Sequence, residues 1–401
     1  MFELNNTIRD YHWGSENQIT ALLGLENSIS PQAEMWLGAH PGCPSHTMQG
    51  SSLDAIIADD PQRILGPDIA QRYASLPFLM KVLSAAQPLS IQVHPNLEQA
   101  RERFARENAA GIELSAADRN YKDANHKPEM LYALTDFAAL SGFREPEAII
   151  EDLTALQGFL GADSAGMLDE LRSILRGGDP LASALQFVLD SKQDSSSLVA
   201  EICAAISNNE QLAQQVHLAE LVRINAVYPG DCGVLVALLL NLVYLRPGQA
   251  ISLAAGNVHA YLRGLGIEVM ANSDNVLRGG LTSKHIDVAE LLDVTVAEPA
   301  PAPLLAPLAA GENSSLYQPG FDEFQLQVID CVQGQDAVEL QLHGAGVLLC
   351  TAGSFRVETR ADTKILSRGQ SVLIGNDELP ATASALQAGQ LFAASAQGLA
   401  G

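Results

Sequence analysis

The sequence predicts a mainly β protein with a helical insert: two related jelly-roll β-sandwiches, the first interrupted by an inserted α-helical domain. Three observations carry this. Short apolar runs broken by Gly and Pro fill residues 1–95 and return after about residue 224, as expected of strands and turns. Between them, residues 145–223 keep a helical period throughout. Finally, "LRPGQAISL" with a following Gly-Asn (245–257) and "LSRGQSVLIGN" (366–376) share a Leu-x-x-Gly-Gln turn and an apolar strand. That faint repeat suits two sandwiches built on Gly-centred turns.

At 401 residues and 47% hydrophobic content, the chain can bury a large core and divide into domains. "AEMWLGAHPGCPS" and "LPFLMKVLSAAQPLSIQVHP" read as strands and turns. After His94, Asn96 and Gln99 form a capping box for a helix through "LEQARERFARENAA", where Leu97, Ala100, Phe104 and Ala105 carry the period. The insert follows as "EAIIEDLTALQGFL", "AGMLDELRSILRG", "DPLASALQFVLD", "LVAEICAAI" and "EQLAQQVHLAELVRI", with Asp179 as a cap and Pro180 at the first helical position. "VLVALLLNLVYL" (234–245) falls short of the ~18–20 apolar residues that span a bilayer and reads as a buried element. Strands resume in "YLRPGQAISLAAGNVHAYLRG". "AEPAPAPLLAPLAAGE" is a Pro/Ala linker, and "FQLQVIDC", "AVELQLH" and "GVLLCTAGSFRVET" are late strands. The expected boundaries are 1–144 and 224–296 for the first sandwich, 145–223 for the insert, 297–312 for the linker and 313–401 for the second sandwich.

Forty-seven acidic against 23 basic residues give a net charge of -24, which argues against non-specific contact with nucleic acid or anionic membrane. Cys43, Cys203, Cys232, Cys331 and Cys350 include no CxxC pair and read as reduced cytoplasmic thiols. "MFELNNTIRDYHWGS" has neither a basic region nor an apolar run, so no signal peptide is expected. A cytoplasmic monomer is expected.

In "LSIQVHPN" (89–96), Ser90, Gln92 and His94 alternate with Leu89, Ile91 and Val93 and so share one strand face. "VHAYL" places His259 and Tyr261 in the same way, and "NHKPEM" groups His126, Lys127 and Glu129. Two His, a Glu and a Gln suit zinc, manganese or iron, with room for water or a substrate oxygen. Each piece alone fits a structural histidine or a wetted strand face; convergence would make a site. The second repeat copy has no His after His343, so only the first is expected to hold metal.

The cations add to this. Lys81 stands between Leu79 and Leu83, with Phe78, Met80 and Val82 opposite. It is either a snorkelling edge lysine or the partner of an anion. "ANSDNVLRGGLTSKH" joins Asp274, Arg278, a Gly-Gly pair and Lys284. Turn chemistry explains its Asn, Ser and Gly, while small neighbours would let Arg278 approach a ligand's oxygens. "RGLGIE" lacks the third glycine of a dinucleotide fingerprint, and P-loop, HExxH and GxSxG patterns are missing. His12, His40, His46, His217, His285 and His343 are taken as structural.

With "YHWGS", "AEMWLGAHPGCPS", "LPFLMKVLSAAQPLSIQVHPN", "NHKPEM", "GVLVALLLNLVYLRPGQA", "GNVHAYLRGLGIEVMANSDNVLRGGLT" and "KHID", the sequence resembles the type I mannose-6-phosphate isomerase family from residue 1 to about 290. The resemblance implies a cupin-type fold: a catalytic jelly roll interrupted by a helical domain, then a second jelly roll. It implies one Zn2+ per chain on Gln92, His94, Glu129 and His259. Lys81, Lys127 and Arg278 become active-site cations, with His126 and Asp274 nearby, and Lys81, Ser90 and Lys284 are the expected substrate or phosphate contacts. The implied reaction interconverts D-mannose 6-phosphate and D-fructose 6-phosphate through an enediolate. Lys127 or His126 would act as base and Arg278 would steady the enediolate. An iron dioxygenase-like cupin or a non-catalytic sugar-phosphate sensor are the alternatives; neither requires Lys127 together with Arg278.

Overall fold

Antiparallel pairing organises the molecule. In the computed structural model, which describes residues 1–26, 30–191 and 195–398, the strands form two large sheets of 11 and 10 strands. The first runs in the order Leu304–Leu305, Ala250–Leu253, Glu129–Ala133, His259–Ala271, Phe78–Ala85, Glu34–Gly38 and Thr7–Arg9, with Leu277–Gly280, Ile91–Val93, Phe137–Phe143 and Leu240–Leu245 attached. The 13-residue strand His259–Ala271 joins its two halves. Its start pairs with Ile91–Val93 and Phe137–Phe143, its end with Phe78–Ala85 and Glu129–Ala133. A register shift between Tyr261 and Arg263 lies between the two, and such an irregularity bends a strand from one layer to another.

Alternation then sorts the side chains into layers. Phe78–Ala85 is buried at every position. Leu83 and Ala85 enter a core with Phe137, Ala139, Leu245 and Ile251, whereas Phe78, Met80 and Val82 pack on Leu326, Val328 and Phe392 of the second sheet. Ile91 and Val93 face the helical insert, in one cluster with Leu153, Leu185 and Ile202. The first β unit thus lies between the helices and the second β unit, buried on both sides. A fourth cluster, containing Phe355, Leu366 and Leu391, is the second unit's own core. Phe355→Ala is expected to cost about 3–5 kcal/mol and lower the melting temperature without changing metal content, measured by calorimetry and elemental analysis.

The repeat makes the same turn twice. Gly248 and Gly369 take φ of +90° and +87°. In each copy the next residue's carboxamide oxygen, of Gln249 or Gln370, accepts a main-chain N–H at 2.8 Å, from Arg246 and Ser367 respectively. The capping box also forms, with Asn96 and Gln99 exchanging hydrogen bonds at the head of Leu97–Ala109.

Several expectations are corrected. The strand-and-turn text before residue 95 includes helices Leu53–Asp59, Pro61–Leu65 and Pro67–Tyr73, because Pro61 and Pro67 start helices there rather than break them. The helical block passes the expected boundary at 223, which falls inside Val216–Val227, and ends at Leu239. The apolar run 234–245 splits into a helix to Leu239 and the strand Leu240–Leu245; a run apolar on every face has no period to reveal the change. Phe2–Asn5, expected in the first unit, pairs with Ser371–Ile374 of the second sheet. The linker gives Leu304–Leu305 to the first sheet and Leu308–Ala309 to the second. The last three residues of the expected 313–401 unit lie outside the described residues.

Candidate active site

Register across the strands assembles the site. Arg278 lies opposite Gln92, and Gln92 opposite His259, so these three side chains share the inner face. Pleating brings His94 and Ser90 to that face as well. From the other half of the sheet, Glu129 projects between the histidines: its Oε1 is 3.3 Å from His94 Nε2 and its Oε2 is 3.4 Å from His259 Nε2. All three are buried and close enough to share one ion.

The protons decide what this cluster can do. His94 Nδ1 lies 2.7 Å from the Asn275 carbonyl and His259 Nδ1 lies 2.9 Å from the Asn257 carbonyl. A carbonyl only accepts, so both Nδ1 atoms carry the proton and both Nε2 atoms present lone pairs. Those Nε2 atoms are buried without a hydrogen-bond partner. Burial, reinforced by Lys127, pushes His94 down to about 4, so at neutral pH it is uncharged and its Nε2 lone pair is free to bind a cation. Burial opposes ionisation of Glu129, yet Lys127, with Nζ 2.7 Å away, holds its carboxyl well below the usual carboxylate range. Two imidazole lone pairs aimed at a carboxylate repel one another unless a cation lies between them. The donor set therefore fits a divalent metal, with Gln92 beside it through its pairing with His259.

Gln92 also borders a cleft of about 680 Å³ walled by Tyr11, Ser90, Tyr228, Arg278 and Lys284. Burial lowers the Arg278 pKa, and Arg278 in turn depresses that of Lys284. Among the described residues neither forms an ion pair. Two cations without counter-ions, in a chain of net charge -24, make the cleft receptive to an anion. The helical insert forms part of its wall, where the Tyr228 hydroxyl donates to the Pro88 carbonyl at 2.9 Å.

Other candidates have different surroundings. Lys81 is buried on the inner face but is not left waiting for a substrate anion: Glu268 and Glu34 lie 3.0 and 3.3 Å from its Nζ. Burial disfavours its charge, and these carboxylates more than restore it, raising its pKa. His126 turns to Glu323 of the second unit at 2.9 Å. Asp274 faces His40 at 3.6 Å. The glycines beside Arg278 serve packing rather than ligand approach: Gly280 has φ +135°, and a Cβ there would meet Gly233 Cα at 2.5 Å.

Sequence reasoning missed Glu34, Glu268 and His40, and gave Tyr261 no role. Tyr261 donates to Glu129 at 3.3 Å. His40 lies edge-on to Trp36, with ring centroids 4.9 Å apart. A signal for Glu34 was present, since Glu34, Trp36 and Gly38 alternate along one face of the strand Glu34–Gly38, whereas His40 lies beyond its end.

A family model described as phosphomannose isomerase type I, catalytic domain, matches residues 1–146. The chain is 40% identical over 394 residues to a mannose-6-phosphate isomerase of Salmonella typhimurium, covering 96% of this chain and 97% of that one. It is similar to the crystal structure of a mutant phosphomannose isomerase from Salmonella typhimurium, with TM-score 0.90, 37% identity and 99% of both chains covered. The structure of a mannose 6-phosphate isomerase bound with zinc and yttrium gives TM-score 0.89, 38% identity and the same 99% coverage of both. Likeness of this degree along nearly the full length of both chains makes this protein a member of the type I phosphomannose isomerase family.

Proposed function

We propose that this chain interconverts D-mannose 6-phosphate and D-fructose 6-phosphate, with one zinc ion held by Gln92, His94, Glu129 and His259. The observation that carries the reading is the pair of partnerless, proton-oriented Nε2 atoms facing Glu129 beside a cleft with two unpaired cations. Two cupin-type jelly rolls are the architecture we infer for its β units. When bound, zinc would polarise the sugar oxygens as a Lewis acid. Ser90 and Lys284 anchor the phosphate, in place of the Lys81 and Ser90 pair, because Lys81 is already matched to two carboxylates. Anchoring the phosphate fixes the sugar's orientation. Arg278, next to Gln92 in register, steadies the negative charge that develops as the C2 proton leaves. With His126 turned to Glu323, we assign Lys127 to carry that proton to C1, acting as the neutral amine left when the ammonium now paired with Glu129 passes its proton to solvent.

Chelation tests the reading. Removing metal from the purified chain is expected to abolish turnover of mannose 6-phosphate, and zinc to restore it. Full activity after complete metal removal, confirmed by elemental analysis, would refute it. No helix among the described residues is long and apolar enough to cross a membrane.

A further inference from the structure

Asn275 lies in the polar "ANSDNVLRGG" loop, where turn chemistry alone would account for an asparagine, yet its exposure is 0% and its carboxamide is fully engaged. Its Oδ1 accepts the main-chain N–H groups of Lys122 and Asp123 at 2.7 and 3.2 Å. Its Nδ2 donates to the carbonyls of Asp123 and Asn125, both at 2.8 Å. The segment it grips leads directly to Lys127 and Glu129. Its own carbonyl, meanwhile, accepts the His94 Nδ1 proton at 2.7 Å.

The two histidines therefore differ in how they are oriented. His259 bonds a carbonyl two residues away, which the local chain fixes. His94 depends on a carbonyl 181 residues distant, which stays in place only if the 271–277 loop is fastened. Ser273 and the Asp274 N–H bond Asp123, and Asn125 bonds the Asn272 carbonyl, from around the loop, but Asn275 alone adds its fastening from the residue that supplies the carbonyl.

We propose that Asn275 is the positioning residue of the metal centre: its carboxamide locks the 122–125 segment to its own loop, so that its carbonyl holds His94 with Nε2 aimed at the metal. This rests on the zinc reading above. The amide is specifically required. An aspartate would place an acceptor against the Asp123 and Asn125 carbonyls and bury a charge, while a serine could not span both strands of the contact.

The test compares zinc affinity, by competition with a chromophoric chelator, in the wild-type chain, Asn275→Asp, Asn275→Ser and Phe355→Ala. Loss of such an outer partner typically weakens metal binding about 10- to 100-fold, and that is the expected result for both Asn275 variants. Their cobalt-substituted forms should show shifted visible bands, and at saturating zinc kcat should fall more than KM rises. Phe355→Ala, destabilised to a similar degree, should keep wild-type affinity and bands. Unchanged zinc affinity and cobalt spectra in the Asn275 variants would overturn the proposal. Should neither variant fold, selective nitrogen-15 labelling of the nine histidines in the metal-free wild type decides: His94 is expected as the Nδ1–H tautomer, and an Nε2–H tautomer overturns it. A wild-type chain that binds no zinc would instead remove the metal reading itself, a result that needs no variant.

Discussion

Glu129→Ala is expected to strip the chain of zinc and lower isomerase turnover by more than about 10³-fold. Glu129 is 1% exposed and receives Lys127, Tyr261 and the two imidazole nitrogens around a single carboxylate. Removing it takes away the carboxylate proposed to hold the metal and leaves the Lys127 ammonium buried without its anion, a loss on the order of 3–5 kcal/mol. Metal content, turnover and thermal unfolding should therefore fall together. Glu129→Gln separates the effects: it keeps the shape and a ligand oxygen, so folding should survive while zinc affinity drops. An alanine variant that kept one zinc per chain would exclude Glu129 from the ligand set.

The second large effect is expected at Arg278. Arg278→Ala should lower kcat about 10²- to 10³-fold, the usual cost of deleting one donor aimed at developing charge, and leave zinc content unchanged. The structure explains why the two readouts should part. Arg278 faces the cleft beside Gln92 but pairs with no carboxylate among the described residues, so its removal strands no buried anion. Burial already disfavours its charge, and the fold should tolerate its loss. Arg278→Lys should recover only part of the rate, because an ammonium lacks the planar fork that spans two oxygens. Loss of zinc in Arg278→Ala would sink the role assigned here.

Much of the site is legible in the sequence, and the reason is local geometry. Ser90, Gln92 and His94 must share a face because a strand alternates, and Asn96 with Gln99 must cap a helix because that pairing satisfies the first turn's N–H groups. The Gly-Gln turns repeat because the same residues impose the same φ. What alternation leaves open is which face meets water. Ile91 and Val93 pack on helices far along the chain, so the apolar face is buried and the half-exposed polar face of Ser90 and Gln92 lines the cleft.

The sequence by itself thus determined side-chain phase, turn type and helix starts, properties decided within a few residues of backbone. Only the tertiary structure decided which charges meet. Lys81 looked partnerless because Glu34 lies 47 positions away, and sheet register brings it and Glu268 alongside. His126 looked catalytic because it adjoins Lys127, but Glu323, 197 positions away in the second β unit, draws it aside. Asn275 looked like an ordinary turn residue, and only folding supplies its buried partners. Ionisation, hydrogen-bond satisfaction and metal affinity depend on such distant neighbours, and these are set by strand register and layer packing.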